Sequence, residues 1–235
     1  MRLKTPVTSE NLRTHFTYGL WKYVLLAVIA IAGWSIMYTV TAYHSPQNKR
    51  IDLYVQTATT SSEVIDEFIE PIWKETVPEM ETVSSVVLSP SDDSTTTMQL
   101  FTYITVGEGD IYFLTERFFK DFASQGAFLE LDELVKTGMI DVRDVDLSKG
   151  YVAVIDAYEG DQAVPSSTRH LYGIPLESFY GYMNNILLDN RNLYAVILVN
   201  NQNDENVIPF FNALLQAGRG EKAEWITEME NGQGR

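Results

Sequence analysis

Residues 109–135 read GDIYFLTERFFKDFASQGAFLELDELV, and this stretch decides the fold. Asp110–Leu114 is a short apolar, aromatic-rich run without period-2 alternation, the pattern of a strand buried on both faces of a parallel sheet. Thr115 or Glu116 then opens a helix. Phe118, Phe119, Phe122 and Ala123 give it one apolar stripe, and Gly126 is a stop residue just past its end. A strand that enters a helix over one or two residues is half of a βαβ unit. Ligands of such sheets sit outside the carboxyl ends of the strands, so Thr115, Glu116 and Arg117 mark the first place to look for function.

Working outward, the same alternation recurs. Ile51–Gln56 reads as a strand followed by the hydroxyl cluster Thr57–Ser62. Val64, Ile65, Phe68, Ile69, Ile72 and Trp73 then form a helical stripe, which Pro71 is expected to kink or divide. Val83–Leu88 is a second strand. Asp92, Asp93 and Ser94 are cap candidates for a helix whose expected buried face is Met98, Phe101, Ile104 and Thr105. After the central stretch, Leu129, Leu131, Leu134 and Val135 suggest a short helical piece. Tyr151–Ile155 and Leu171–Ile174 are strand-like, separated by a loop over Glu159–Arg169 broken at Gly160 and Pro165. Leu193–Val199 is another continuous apolar run. Asn203 or Asp204 can cap a last helix carrying Val207, Ile208, Phe211, Leu214 and Leu215, with Gly218 at its end. The order β-α-β-α-β-α predicts an α/β domain with a mainly parallel sheet and right-handed crossovers.

The N-terminus has a different character. Between Lys22 and Lys49 there is no Asp, Glu, Lys or Arg, and Tyr23–Tyr43 is long enough to cross about 30 Å of hydrocarbon as a helix. Trp21, Tyr23, Tyr38 and Tyr43 sit near its ends, as an interfacial aromatic belt would. Four basic residues precede the run and Lys49 and Arg50 follow it closely, which by the positive-inside rule puts the N-terminus in the cytoplasm. Val40-Thr41-Ala42 has the small-residue pattern of a signal-peptide cleavage site. Against cleavage stand the long region before Lys22 and an apolar run longer than a usual signal core. The expected organisation is a cytoplasmic tail over 1–22, a membrane helix over 23–43, a stem over 44–50, an extracytoplasmic α/β domain over 51–218 and a polar tail over 219–235, disordered apart from Trp225 and Ile226.

Composition narrows the functions. Residues 1–43 hold four basic residues and one acid, a balance of +3, whereas the remainder holds thirteen basic and thirty-one acidic, a balance of −18. So acidic a domain disfavours nucleic acid and anionic lipid as partners. The absence of cysteine excludes a disulfide framework, a thiolate metal site and a catalytic thiol.

The central stretch, with Gln99–Leu114 before it, resembles the helix, Gly-rich turn, Asp-led strand and following helix in the first lobe of extracellular solute-binding proteins of ABC importers, the sugar-binding type above all. Leu171–Ser178 (LYGIPLES) resembles the strand that ends that lobe at the hinge. The resemblance covers roughly residues 51–178 and implies a single-lobe periplasmic-binding-protein-like domain behind one transmembrane helix. The family places a whole second lobe between a strand like LYGIPLES and a strand and helix like LYAVILVN and NVIPFFNALLQ. Here only Phe179–Asn192 separate them. A cleft that closes around solute needs two faces.

Candidate site residues follow from strand ends. Glu116 and Glu177 each follow a strand, where matching positions in the resembled family line the cleft. Thr57 and Thr59 follow the first strand, and Tyr180 and Tyr182 carry flat rings that either stack on a sugar or pack on a partner chain. A solvated loop residue is the favoured reading of each acid. His15, His44 and His170 are far apart, Gly107-Glu108-Gly109 precedes a strand and so reads as a tight turn, and Asp92-Asp93 and Asp144/Asp146 complete no calcium pattern. No catalytic constellation, cofactor or metal site is expected, and the chain is not expected to be an enzyme. Two functions compete: a membrane-anchored accessory module that docks on an envelope or transporter protein or on its own copy, and a tethered solute-binding protein presenting Thr57, Thr59, Glu116, Glu177 and Tyr180 as an open half-cleft to a sugar-like or cationic solute beside an ABC importer.

Overall fold

The computed structural model describes residues 9–41, 45–91, 93–159, 162–200, 203–224 and 226–227. Tyr43, His44, Asp92, Gly160 and Trp225, all singled out above, lie outside them. The chain divides into two units, Met1–His44 and Ser45–Arg235.

The first unit is one helix, α1 (Ser9–Thr41), so helical structure begins well before Tyr23. Its stretch Gly19–Thr39 is long and apolar enough to cross a membrane. The Thr39 and Thr41 hydroxyls donate to the carbonyls of Ser35 and Met37, 2.9 and 2.7 Å away, which hides two polar groups against the helix backbone.

The second unit runs β1 (Arg50–Gln56), α2 (Ser62–Thr76), β2 (Thr82–Leu88), α3 (Ser94–Val106), β3 (Ile111–Thr115), α4 (Glu116–Ala123) and α5 (Asp132–Lys136). It continues with β4 (Tyr151–Val152), β5 (Ile155–Glu159), β6 (Gln162–Pro165), β7 (His170–Leu171), β8 (Ile174–Pro175), α6 (Tyr180–Ile186), β9 (Leu193–Ile197) and α7 (Asp204–Gly218). The main sheet has the order β2-β1-β3-β9-β8. β1 pairs in parallel with β2 and β3, while β9 runs against both β3 and β8, so four of the five strands point the same way. The fold is therefore mixed α/β with a parallel-rich sheet.

Successive side chains of the central strands feed opposite faces. Leu53, Val55, Ile111, Phe113, Ala195 and Ile197 join the apolar face of α2 and α7, including Ile65, Ile69, Phe210 and Phe211. Tyr54, Tyr112, Leu114, Tyr194 and Val196 join Leu100 of α3 and the Phe118, Phe119 and Phe122 stripe of α4. Burying each of these phenylalanines contributes about 1.5–3 kcal/mol, so the stripe alone fixes α4 against the sheet.

Several expectations are corrected. Pro71 does not divide α2, which is continuous from Ser62 to Thr76. Pro71 and Glu67, whose carbonyl loses its helical donor, are both exposed, so that carbonyl faces solvent and is not buried unpaired. Helix α3 buries Thr96 and Leu100, not Met98 and Phe101, which are 72% and 53% exposed. The expected strand Leu171–Ile174 is split, with β7 pairing to β4 and β8 to β9. Gly173 lies at the break, where a Cβ would stand 2.6 Å from the Phe119 ring. Tyr151–Ile155 divides likewise, and the expected loop Glu159–Arg169 supplies β6, which pairs with β5 as a hairpin. Helix α6 occupies a stretch with no expected element.

Candidate functional site

The carboxyl ends of β1, β2, β3 and β8 share one edge of the sheet, and a buried amide organises it. Gln56 Oε1 accepts from the Thr115 amide at 2.9 Å and from its hydroxyl at 3.2 Å, while Gln56 Nε2 donates to the Ser89 carbonyl at 3.3 Å. One side chain thus ties the ends of three parallel strands, because burial leaves its polar atoms no partner but backbone and hydroxyl. Asn190 does the same for β8. Its Nδ2 donates to the carbonyls of Leu176 at 2.6 Å and Phe179 at 3.2 Å. Neither residue was singled out from sequence; an isolated amide at a strand end carries no pattern that separates it from a solvated loop residue.

Glu116 opens α4, and its amide donates to the Asn192 carbonyl at 3.0 Å, which locks the start of the helix to the turn before β9. Its carboxylate pairs with Lys120 one turn on. Glu177, two residues past β8, accepts from Lys149 Nζ at 3.1 Å. That ion pair holds the Lys149 ammonium above its ordinary pKa, with a smaller push from Glu116. Both acids act on Tyr194, whose phenol is pushed up to about 12 by burial first and by Glu116 and Glu177 after it. The structure therefore brings Glu116, Glu177, Lys149 and Tyr194 into one electrostatic neighbourhood, although 28 residues separate Lys149 from Glu177.

Glu177 and Tyr180 share a depression of about 250 Å³ with Asp146, Lys149 and Pro175. Asp146 is turned inward to its own loop, where its carboxylate accepts from the Ser148 amide at 2.9 Å. Tyr180 is half-buried and lies 5.7 Å from Lys222 across its ring. Thr57 and Thr59 stand apart from this group. Their hydroxyls lie 3.0 Å from each other, and Thr59 Oγ1 accepts from the Asp189 amide at 3.2 Å. Thr59 lines a second, wider depression beside Val64, Asn185 and Leu187. Leu187 caps α6 with φ 54°, a left-handed conformation costly for a branched side chain, and it is 58% exposed.

Tyr182 belongs to the core. It is 1% exposed, and its hydroxyl donates to the Leu214 carbonyl at 2.7 Å. Its ring meets Phe113 edge-on at 5.5 Å, which removes it from any ligand face. Gly107 and Gly109 form the expected turn, both with positive φ, after α3. His170 Nδ1 lies 3.5 Å from Asp132 Oδ2 and 4.0 Å from Glu130 Oε2. Among the described residues no group of three His, Cys, Asp or Glu side chains could hold a metal ion.

No protein-family model matches the chain, and no curated protein matches it. Among solved structures it is similar to an extracellular solute-binding protein family 1 member from Alicyclobacillus acidocaldarius, at 18% identity and TM-score 0.38, over 56% of this chain and 29% of that one. It is similar to an ABC substrate-binding protein from Listeria monocytogenes in complex with cycloalternan, at 20% identity and TM-score 0.34, over 53% and 28% of the two chains. UgpB from Mycobacterium tuberculosis in complex with glycerophosphocholine gives 22% identity and TM-score 0.34, over 54% and 29%. The likeness thus involves about half of this chain and under a third of each of theirs.

Proposed function

We propose that the chain is a membrane-anchored, non-catalytic docking module, held by α1 with its N-terminus in the cytoplasm and its α/β unit outside, whose strand-end edge binds an envelope or transporter protein. The observation that carries this reading is the state of the edge itself. Its polar side chains are already engaged within the unit: Glu116 with Lys120, Glu177 with Lys149, Thr57 with Thr59, and Asp189 with Arg191 through two bonds of 2.7 and 2.8 Å. A small solute would lie in open depressions, whereas tight small-molecule sites bury most of the ligand. Exposed ion pairs cost little to rearrange. The exposed Val64 and Leu187, in the depression beside Thr59, supply an apolar centre on which a partner can pack.

A tethered solute-binding reading is favoured by one specific observation, the sharing of a single depression by Glu177, Tyr180 and Lys149 at a strand carboxyl end. Calorimetry of the full chain in lipid nanodiscs against sugars, amino acids and polyamines, run beside affinity capture from solubilised membranes, separates the two. The docking reading expects a stoichiometric protein partner lost on Leu187→Asp and no saturable solute heat. Submillimolar solute binding abolished by Glu177→Ala or Tyr180→Ala contradicts it.

A further inference from the structure

Helix α3 presents an outer face that no other described residue of the unit covers. Met98, Phe101 and Val106 are 72%, 53% and 65% exposed, and the helix has no charged residue from Ser94 to Val106. Helix α2, of comparable size, carries charge outward in its exposed Glu70–Lys74 pair. Two polar side chains on the exposed side of α3 bond within the helix. The Thr102 hydroxyl donates to the Met98 carbonyl at 2.8 Å, and Gln99 Nε2 donates to the Tyr103 hydroxyl at 3.1 Å. Satisfying such groups internally is what a surface needs if it is to leave water.

The position of this face in the fold points to its occupant. Helix α3 ends at the edge of the sheet opposite the strand ends discussed above, and Val106 lines a depression there with Gln47 and Arg50. Arg50 is the first residue of β1, and only eight residues separate it from Thr41, the last of α1. Fully extended, that linker reaches roughly 30 Å at most. Val199, 44% exposed, lies at the same edge just past β9. Of the acids there, Glu81 pairs with Lys49 at 3.3 Å and Asp52 with Arg50 at 3.0 Å, burial raises the Asp110 carboxyl, and the exposed Glu108 accepts from the Tyr54 hydroxyl at 3.2 Å.

We infer that the charge-free outer face of α3, through Met98, Phe101 and Val106, rests on the lipid surface of the membrane that holds α1, giving the unit a second, reversible membrane contact. The inference rests on the anchor reading above. Three apolar side chains, with Arg50 beside Val106, bind a bilayer weakly on their own. The short linker turns that weak affinity into occupancy by raising the effective lipid concentration at the face. A second copy is the less favourable occupant, because each unit carries a large negative charge that opposes self-association, while a phosphatidylcholine surface has no net charge to oppose it.

The chain lacks cysteine, so single spin labels can be placed without background. Full-length Gly33→Cys, Phe101→Cys, Val106→Cys and Leu187→Cys variants are labelled, reconstituted into phosphatidylcholine vesicles, and read by collision with oxygen and with a water-soluble nickel chelate. Circular dichroism melts confirm that each variant is folded. Labels at 33, 101 and 106 are expected to show an oxygen-to-nickel ratio severalfold above the label at 187, with no change in high salt. A lipid-like ratio at 33 with water-like ratios at 101 and 106 overturns the docking while leaving the anchor standing. A water-like ratio at 33 overturns the anchor and this inference with it. Protection of 101 and 106 from both reagents means that a protein or a second copy covers α3, and also overturns the proposal.

Discussion

Lys149 Nζ stands 3.1 Å from Glu177 Oε2, bridging the 3₁₀ turn at Ser148–Gly150 and the end of β8 across an exposed part of the edge. Both side chains are more than half exposed, so the pair is a surface feature available to a partner and not a fold determinant. Removing the negative charges of this edge with Glu116→Gln/Glu177→Gln is expected to leave the melting temperature unchanged. It should slow association with a captured partner by up to about tenfold and reduce the salt dependence of that rate. Surface plasmon resonance at two ionic strengths checks this; an unchanged rate would show that these acids do not steer binding.

Tyr182 is expected to act on stability alone. Tyr182→Phe leaves the Leu214 carbonyl without its buried donor and should cost about 1–3 kcal/mol. Tyr182→Ala should cost about 3–5 kcal/mol by opening a cavity between Phe113 and α7. Urea unfolding gives both values. Neither variant should alter partner binding while folded.

Asp141 gives a pH signature. Its hydrogen bonds and ion pair with Arg143, helped by Arg219, hold its carboxyl down at about 2. A depressed carboxyl contributes stability that is present above its unfolded pKa of about 3.8 and lost as pH falls through the folded value. Melting curves of the native chain and of Asp141→Asn are therefore expected to differ above pH 4 and to converge as pH approaches 2. Parallel curves over that range would remove Asp141 from the stability account.

Gly109 is required by its backbone and its neighbours together. It has φ +83°, and an added Cβ would stand 2.5 Å from the Tyr54 ring. Gly109→Ala should cost about 1–3 kcal/mol by displacing that ring from its stack on Tyr112, 4.8 Å away. Near-ultraviolet circular dichroism should register the movement of the two tyrosines.

The β3–α4 passage was legible because its signals agree: an unbroken apolar strand, an immediate helix start and four consecutive stripe positions, all of which are buried. Helix α3 was legible as a helix but not as a face. With no charged side chain to mark the solvent side, Met98 and Phe101 looked as buryable as Leu100. Helix α6 was hidden by Gly181 and the adjacent asparagines, which disfavour a helix locally. Tertiary packing overrides them, since a Cβ at Gly181 would lie 2.5 Å from the Arg219 carbonyl oxygen. At the edge, the individual acids Glu116 and Glu177 were visible after their strands. What sequence could not supply was long-range pairing, such as Lys149 with Glu177 or Gln56 with Thr115, which exists only once the sheet is assembled.

Site-specific photo-crosslinking in intact cells tests the docking role most directly. A photoreactive amino acid is placed at Glu177 or Leu187 on the strand-end edge, and at the exposed Met139 as a control. Docking through this edge predicts one discrete protein adduct from positions 177 and 187 and none from 139. Absence of any protein adduct at 177 and 187, or an equal adduct from 139, would contradict it.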